Sequence, residues 1–164
     1  MSYQDIRQIK LRIDSLITRI KRLKGTAVDI EIQSDLSKYL CILLSGYFEK
    51  SITDIINSYA EKFSPQIERC IQTEFKWTTN IKMARLLEIL DKFSSEWKSI
   101  LEKDPSYNDY KDTLDSIVNN RNNIAHAQGS SVTLAQLEYY YTIIEKIIDK
   151  VRTLFVVHQK SPCV

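Results

Sequence analysis

Glycine and proline are scarce, with three of each in 164 residues. So few chain breakers exclude a turn-rich all-β architecture. Plentiful Leu, Ile, Lys, Glu and Gln favour long helices, so an all-α protein is expected. Histidine is scarcer still: His126 and His158 are the only two. No HExxH pair and no Cys/His spacing accompanies them, which argues against catalytic zinc. Cys41, Cys70 and Cys163 are odd in number and widely separated, so neither a disulfide framework nor a site of paired metal ligands is credible, and buried or idle thiols are expected. A phosphate-cradling glycine loop is also missing. The longest nearly apolar run, Tyr39 to Phe48 (YLCILLSGYF), is far short of the roughly 20 residues that span a bilayer. Met1 to Lys10 lacks the apolar core of a signal peptide. The expectation is a cytoplasmic protein with no metal, no cofactor and no membrane partner.

What is present is enough apolar residue, 43 %, to bury one core without staples. A single domain over residues 1–158 with a frayed tail at 159–164 is expected. Net charge is only +2, but it is unevenly spread. Arg7, Lys10, Arg12, Arg19, Lys21, Arg22 and Lys24 face only Asp5 and Asp14 in the opening segment, and the remainder is mildly acidic. Such a basic helix, Lys21 and Arg22 included, can track phosphates or form a solvated face.

Apolar periodicity places the helices. Ile6, Ile9, Ile13, Leu16, Ile20 and Leu23 alternate spacings of three and four, which predicts a helix ending near Gly25. A second, from Ser34 or Asp35 to about Phe63, carries a broad apolar face and is expected at the centre. Shorter pieces follow at about Gln66 to Trp77, Ile81 to Lys92 and Ser95 to Glu102, with Thr78-Thr79-Asn80 and Ser94-Ser95 as candidate caps. Asp104-Pro105-Ser106 breaks the chain. Two last helices run from Asn108 or Asp109 toward His126 and from Leu134 to about Val157, the latter opened by a Thr133/Gln136 capping box. Its seam of Leu134, Leu137, Tyr141, Ile144, Ile148, Val151 and Phe155 suits lengthwise packing in a bundle. Tyr139-Tyr140-Tyr141 could stack bases, but three successive tyrosines spread around a helix, and packing is the expected role.

Against this background one stretch is polar: NNRNNIAHAQG, Asn119 to Gly129. Leu114, Ile117, Val118, Arg121, Ile124 and Ala125 fall on one helical stripe, so Arg121 points where an apolar residue is expected and needs a partner. Asp115, Asn119, Asn122 and His126 make a polar ridge beside it. On an ideal helix Arg121 and His126 lie ~140° apart. A compact site therefore requires the helix to loosen near His126, or a second copy of the motif. Two readings stand. In one, Arg121 pairs with a carboxylate inside the bundle while Asn122, Asn123 and His126 form a helix end. In the other, the imidazole exchanges protons near neutral pH and the guanidinium fork holds a phosphate gaining charge, which suffices for attack of an RNA 2′-hydroxyl on its neighbouring phosphate without metal. DNA lacks that nucleophile.

Arg121-Asn122-Asn123-Ile124-Ala125-His126 resembles the R-x4-6-H motif of the HEPN superfamily, in the R-N-x-I-A-H form of bacterial ribonuclease branches that include RiboL-PSP-type HEPN domains. LDSIVNNRNNIAHAQG, Leu114 to Gly129, before a long final helix, and YLCILLSGYFEKSITDII, Tyr39 to Ile56, with Glu49 after an aromatic, extend the resemblance over much of the chain. It implies a HEPN-like bundle of long antiparallel helices with shorter accessory ones. It also implies a homodimer whose two motifs share a cleft, and a metal-independent endoribonuclease leaving 2′,3′-cyclic phosphate and 5′-hydroxyl ends.

By the same resemblance Arg121 and His126 carry the chemistry, Asn122 orients the RNA or the pair, and Glu49 holds Arg121 or tunes His126. Asn119, Asn123, Lys21 and Arg22 are the RNA-contacting candidates beside them. A toxin or antiphage role implies a cognate antitoxin or inhibitor protein. Two departures stand out. Gln128 occupies the place where nucleotidyltransferase-modified members carry tyrosine, and Ala127 follows the histidine where many relatives have glycine, which suggests a loop shifted by two residues. A noncatalytic HEPN-like module binding RNA or a protein is the alternative reading; a scaffold contacting nucleic acid through its basic first helix alone is a third.

Overall fold

A computed structural model describes residues 3–23, 30–76, 78–129 and 132–157. Among them are seven helices and no strand: α1 (Tyr3–Leu23), α2 (Ile30–Ala60), α3 (Pro65–Glu74), α4 (Met83–Phe93), α5 (Ser95–Glu102), α6 (Tyr107–Ala125) and α7 (Leu134–Val157). The all-α expectation holds. His158, Cys163 and the expected tail at 159–164 lie outside the described residues, as do Lys24, Gly25 and Trp77.

The central helix is α2, which packs against α1, α3, α6 and α7. Leu40, Leu44, Ile52 and Ile56 are wholly excluded from solvent, and serines 37, 45 and 51 are buried with them. Apolar side chains on several sides allow one helix to serve four neighbours. Cys41 is a small hydrophobe in this core, and burial pushes its thiol up to about 11. Helices α1 and α7 run antiparallel, since Lys10 pairs with Glu145 while the later Lys21 pairs with the earlier Glu138. Tyr47 of α2 also donates to Glu145, and burial followed by that hydrogen bond raises its hydroxyl pKa. At the opposite end from α6's C-terminus, Phe155 meets Trp97 at 4.6 Å, Phe93 at 4.9 Å and Tyr59 at 5.3 Å. Edge-on aromatic pairs of this kind contribute roughly 0.5–1.5 kcal/mol each beyond their buried area, and here they lock the ends of α2, α4, α5 and α7 together.

Several boundaries follow the caps. Ser94 accepts from the Glu96 amide at 3.2 Å and opens α5. Thr133 and Gln136 bond reciprocally, at 3.0 and 3.3 Å, and open α7. Others differ from expectation. α2 begins at Ile30 because Ser34 and Asp35 sit inside the helix, where Asp35 pairs with Lys38 at 2.8 Å rather than capping. It ends at Ala60, where a tight turn (Phe63 N–H to Ala60 carbonyl, 3.0 Å) aims the chain at Pro65. Thr78-Thr79-Asn80 does not cap α4. Its first residue, Met83, instead donates its N–H to Asp115 of α6 at 3.1 Å, so a carboxylate from another helix faces the positive end of α4.

Candidate active site

On α6 the apolar stripe is buried at Leu114, Ile117 and Val118, half-buried at Ile124 and exposed at Ala125. The stripe thus rises out of the core as the helix proceeds, and Arg121 sits on it at the transition, half-buried. Long side chains suit such a position because the stem packs while the head reaches water. Beside this stretch of α6, Ser45, Phe48, Glu49, Ile81, Leu114, Ile117, Val118 and Ile144 line a void of only about 10 Å³. That is at the lower limit for one water, so the packing there is firm.

The guanidinium is held by amides. Arg121 Nη1 donates to Asn80 Oδ1 at 2.9 Å and to Asn122 Oδ1 at 3.2 Å. Glu49, expected to hold Arg121 or tune His126, does not pair with the arginine among the described residues; its Oε1 accepts the Asn80 backbone N–H at 2.7 Å and the Ser45 hydroxyl at 3.4 Å. Glu49 therefore fixes Asn80, and Asn80 fixes Arg121. No carboxylate among the described residues lies within ion-pair distance of Arg121, which removes the reading in which it neutralises an acid inside the bundle.

Asn80 is the residue that sequence reasoning missed. Its φ is +53°, a left-handed backbone that asparagine tolerates better than most side chains. That conformation turns its N–H toward Glu49 and its amide toward Arg121. The clue was an asparagine before an apolar helix start, but it reads equally well as a helix cap.

The helix stops at the histidine. His126 is the C-cap of α6 and exposed, with φ −96° and ψ 16°. Ala127 follows in the left-handed region at φ +54°, its N–H bonded to the Ile124 carbonyl at 3.2 Å, and the Gln128 N–H reaches the Asn123 carbonyl at 2.7 Å. This pair of bonds is the Schellman termination. Alanine thus occupies the left-handed position that glycine favours, directly after the histidine, and Gly129 lies beyond the turn. The His126 N–H still donates to the Asn122 carbonyl at 3.0 Å, so the backbone stays helical up to the histidine and leaves the helix only at Ala127.

The remaining candidates separate. Asn122 is joined to Arg121, Asn123 is half-buried with its carbonyl in the helix stop, and Asn119 is exposed. Lys21 and Arg22 are exposed on α1; Lys21 is tied to Glu138 near the start of α7, which places this end of α1 at the end of the bundle where α6 passes into α7. Tyr139 is exposed, while Tyr141 packs edge-on against Tyr47 at 6.1 Å, as the seam implied.

Comparison with curated proteins and with solved structures returns no match. A family model described as RiboL-PSP-HEPN matches residues 7–156, which include every helix from α2 to α6, most of α1 and α7, and the whole Arg121–His126 motif. The chain belongs to the RiboL-PSP-HEPN family of the HEPN superfamily, whose members are generally ribonuclease domains.

Proposed function

We propose that the chain is a metal-independent endoribonuclease that acts as one domain and pairs into a homodimer, so that two copies of Arg121 and His126 face one RNA strand. One observation carries the reading: Arg121 is anchored by two neutral amides and, among the described residues, by no acid, so its charge is fixed in place yet unspent. A guanidinium in that state is suited to a phosphate gaining negative charge. His126, exposed at the helix stop, takes the proton from the 2′-hydroxyl as its oxygen bonds to phosphorus. The bond from phosphorus to the 5′-oxygen breaks, and an imidazolium returns a proton to that oxygen. Products are a 2′,3′-cyclic phosphate and a 5′-hydroxyl, with no water consumed.

Asn122 and, through Asn80, Glu49 hold the guanidinium; Asn119, Asn123, Lys21 and Arg22 meet flanking RNA. The biological setting that fits is a cytoplasmic toxin or antiphage effector cutting cellular or phage RNA under a cognate antitoxin or inhibitor. A noncatalytic RNA- or protein-binding module is the second reading, favoured by the same two hydrogen bonds, which also make Arg121 a strut between α6 and the segment at Asn80.

The deciding experiment is RNA cleavage in chelator with mapping of 5′-hydroxyl ends. His126→Ala and Arg121→Ala are each expected to lose ~100-fold to 10,000-fold in rate, with helical content and dimerisation intact. Undiminished cleavage by nuclease-free His126→Ala protein overturns the catalytic assignment. RNA binding by a wild-type protein that cleaves nothing establishes the second reading.

A further inference from the structure

A cleft of about 450 Å³ opens between α2 and the far end of α3. Thr53 and Asn57 line it from α2, Arg69 and Gln72 from α3, and Lys76 from just beyond α3. In a chain with 21 acidic residues, none lines this cleft. Of the acids on α3, Glu68 accepts from Gln72 at 3.0 Å and Glu74 pairs with Lys92. A concavity walled by two cations, two amides and two threonine hydroxyls, with no carboxylate, is complementary to an anion rich in oxygen acceptors.

Its position narrows the ligand further. Glu49, Thr53 and Asn57 follow at intervals of four and so share one face of α2. Thr53 Oγ1 donates to the Glu49 carbonyl at 2.9 Å, while the Glu49 carboxylate holds Asn80 and, through it, Arg121. The polar face thus runs about 12 Å from Glu49 to Asn57, out of the candidate site and into the cleft. On the other wall Lys76 leads, within four residues, to Asn80.

The geometry points to a substrate-strand subsite: the cleft takes the single-stranded RNA adjoining the bond cut at Arg121 and His126, an inference that rests on the ribonuclease reading above. Arg69 and Lys76 meet phosphates, and Asn57 and Thr53 meet ribose hydroxyls. Phe75, the aromatic of the cleft, is 5 % exposed and stacked on Phe93 at 5.3 Å, so it forms floor rather than a platform for bases. Sequence preference contributed by the cleft is therefore weak, and its contribution is mainly electrostatic.

Two substrates test this: a dodecamer RNA, which reaches the cleft, and a dinucleotide, which does not. Arg69→Glu with Lys76→Glu is expected to lower kcat/KM on the dodecamer at least 10-fold more than on the dinucleotide. Anisotropy with a 2′-O-methyl dodecamer is expected to show weaker binding and a salt slope shallower by about 1.4, two phosphates at roughly 0.7 each. The neutral pair Arg69→Gln with Lys76→Gln repeats the measurement at half the charge change, so a folding defect in the glutamate pair does not decide the matter. Equal losses on both substrates, or none, overturn the subsite while leaving the ribonuclease reading intact. A wild-type protein that cleaves neither substrate removes that reading, and the binding arm then judges the cleft alone. Adenosine monophosphate binding as tightly as the dodecamer overturns the strand in favour of a free nucleotide.

Discussion

Substitution of Asn80 separates the backbone from the side chain. The residue has three bonds to lose: its amide oxygen takes Arg121 at 2.9 Å, its N–H goes to Glu49 at 2.7 Å, and its carbonyl takes the Lys82 N–H at 2.9 Å. Only the first depends on the side chain. A hydrogen bond to a charged group contributes roughly 1.5–3 kcal/mol when shielded. Asn80 is exposed and Arg121 half-buried, so water replaces part of it and about 1 kcal/mol remains. Asn80→Ala loses that bond and also forces alanine to φ +53°, which adds about 1–2 kcal/mol. Asn80→Gly loses the same bond but relaxes the backbone, so its stability stays within about 1 kcal/mol of wild type. Catalysis ranks them differently. Both variants release Arg121, and a misplacement near 1 Å costs about 100-fold in rate. Asn80→Asp restores the acceptor but spends the guanidinium's charge, so its RNA affinity falls at unchanged stability. Urea denaturation beside cleavage kinetics reads all three. Asn80→Gly cleaving at the wild-type rate, or Asn80→Ala as stable as Asn80→Gly, refutes the relay.

Two further predictions concern the frame around the site. Ala127→Gly is expected to stabilise the fold by about 0.5–1 kcal/mol, the relief of a left-handed alanine less the added freedom of the unfolded chain; a lower urea midpoint counts against the helix stop described here. A thiol reagent at pH 8 is expected to modify exposed Cys70 in the native protein and to reach Cys41, buried and with its thiol pushed up to about 11, only on unfolding. Rapid native labelling of Cys41, read by peptide mass spectrometry, contradicts the packing of α2.

Period and capping chemistry made much of the fold legible. Leu134, Leu137, Ile144, Ile148, Val151 and Phe155 are buried as their spacing implied, and the Thr133/Gln136 box opens α7 where expected. Both signals are local, so the sequence carries them in full. What could not be read is what one helix does for another. The N-terminus of α4 is capped by Asp115, a residue 32 positions away, and no local cap anticipates it. The start of α2 at Ile30 is a case of the reverse kind, since Ser34 and Asp35 have cap chemistry but are used within the helix.

The site shows the same division, and the division explains why it is built as it is. Arg121 stood out because a cation interrupted an apolar stripe, a local signal. That the stripe surfaces there, that α6 stops at His126, and that Glu49 bonds Asn80 are tertiary facts. A motif wholly inside a regular helix would point its arginine and histidine ~140° apart, and a motif in a free loop would hold neither. Arg121 is held by two amides where the stripe surfaces, and His126 is the exposed last residue before a Schellman stop, so the chain turns away directly after the imidazole. A guanidinium fixed in this way is suited to a phosphate gaining charge, which is the role we propose for Arg121.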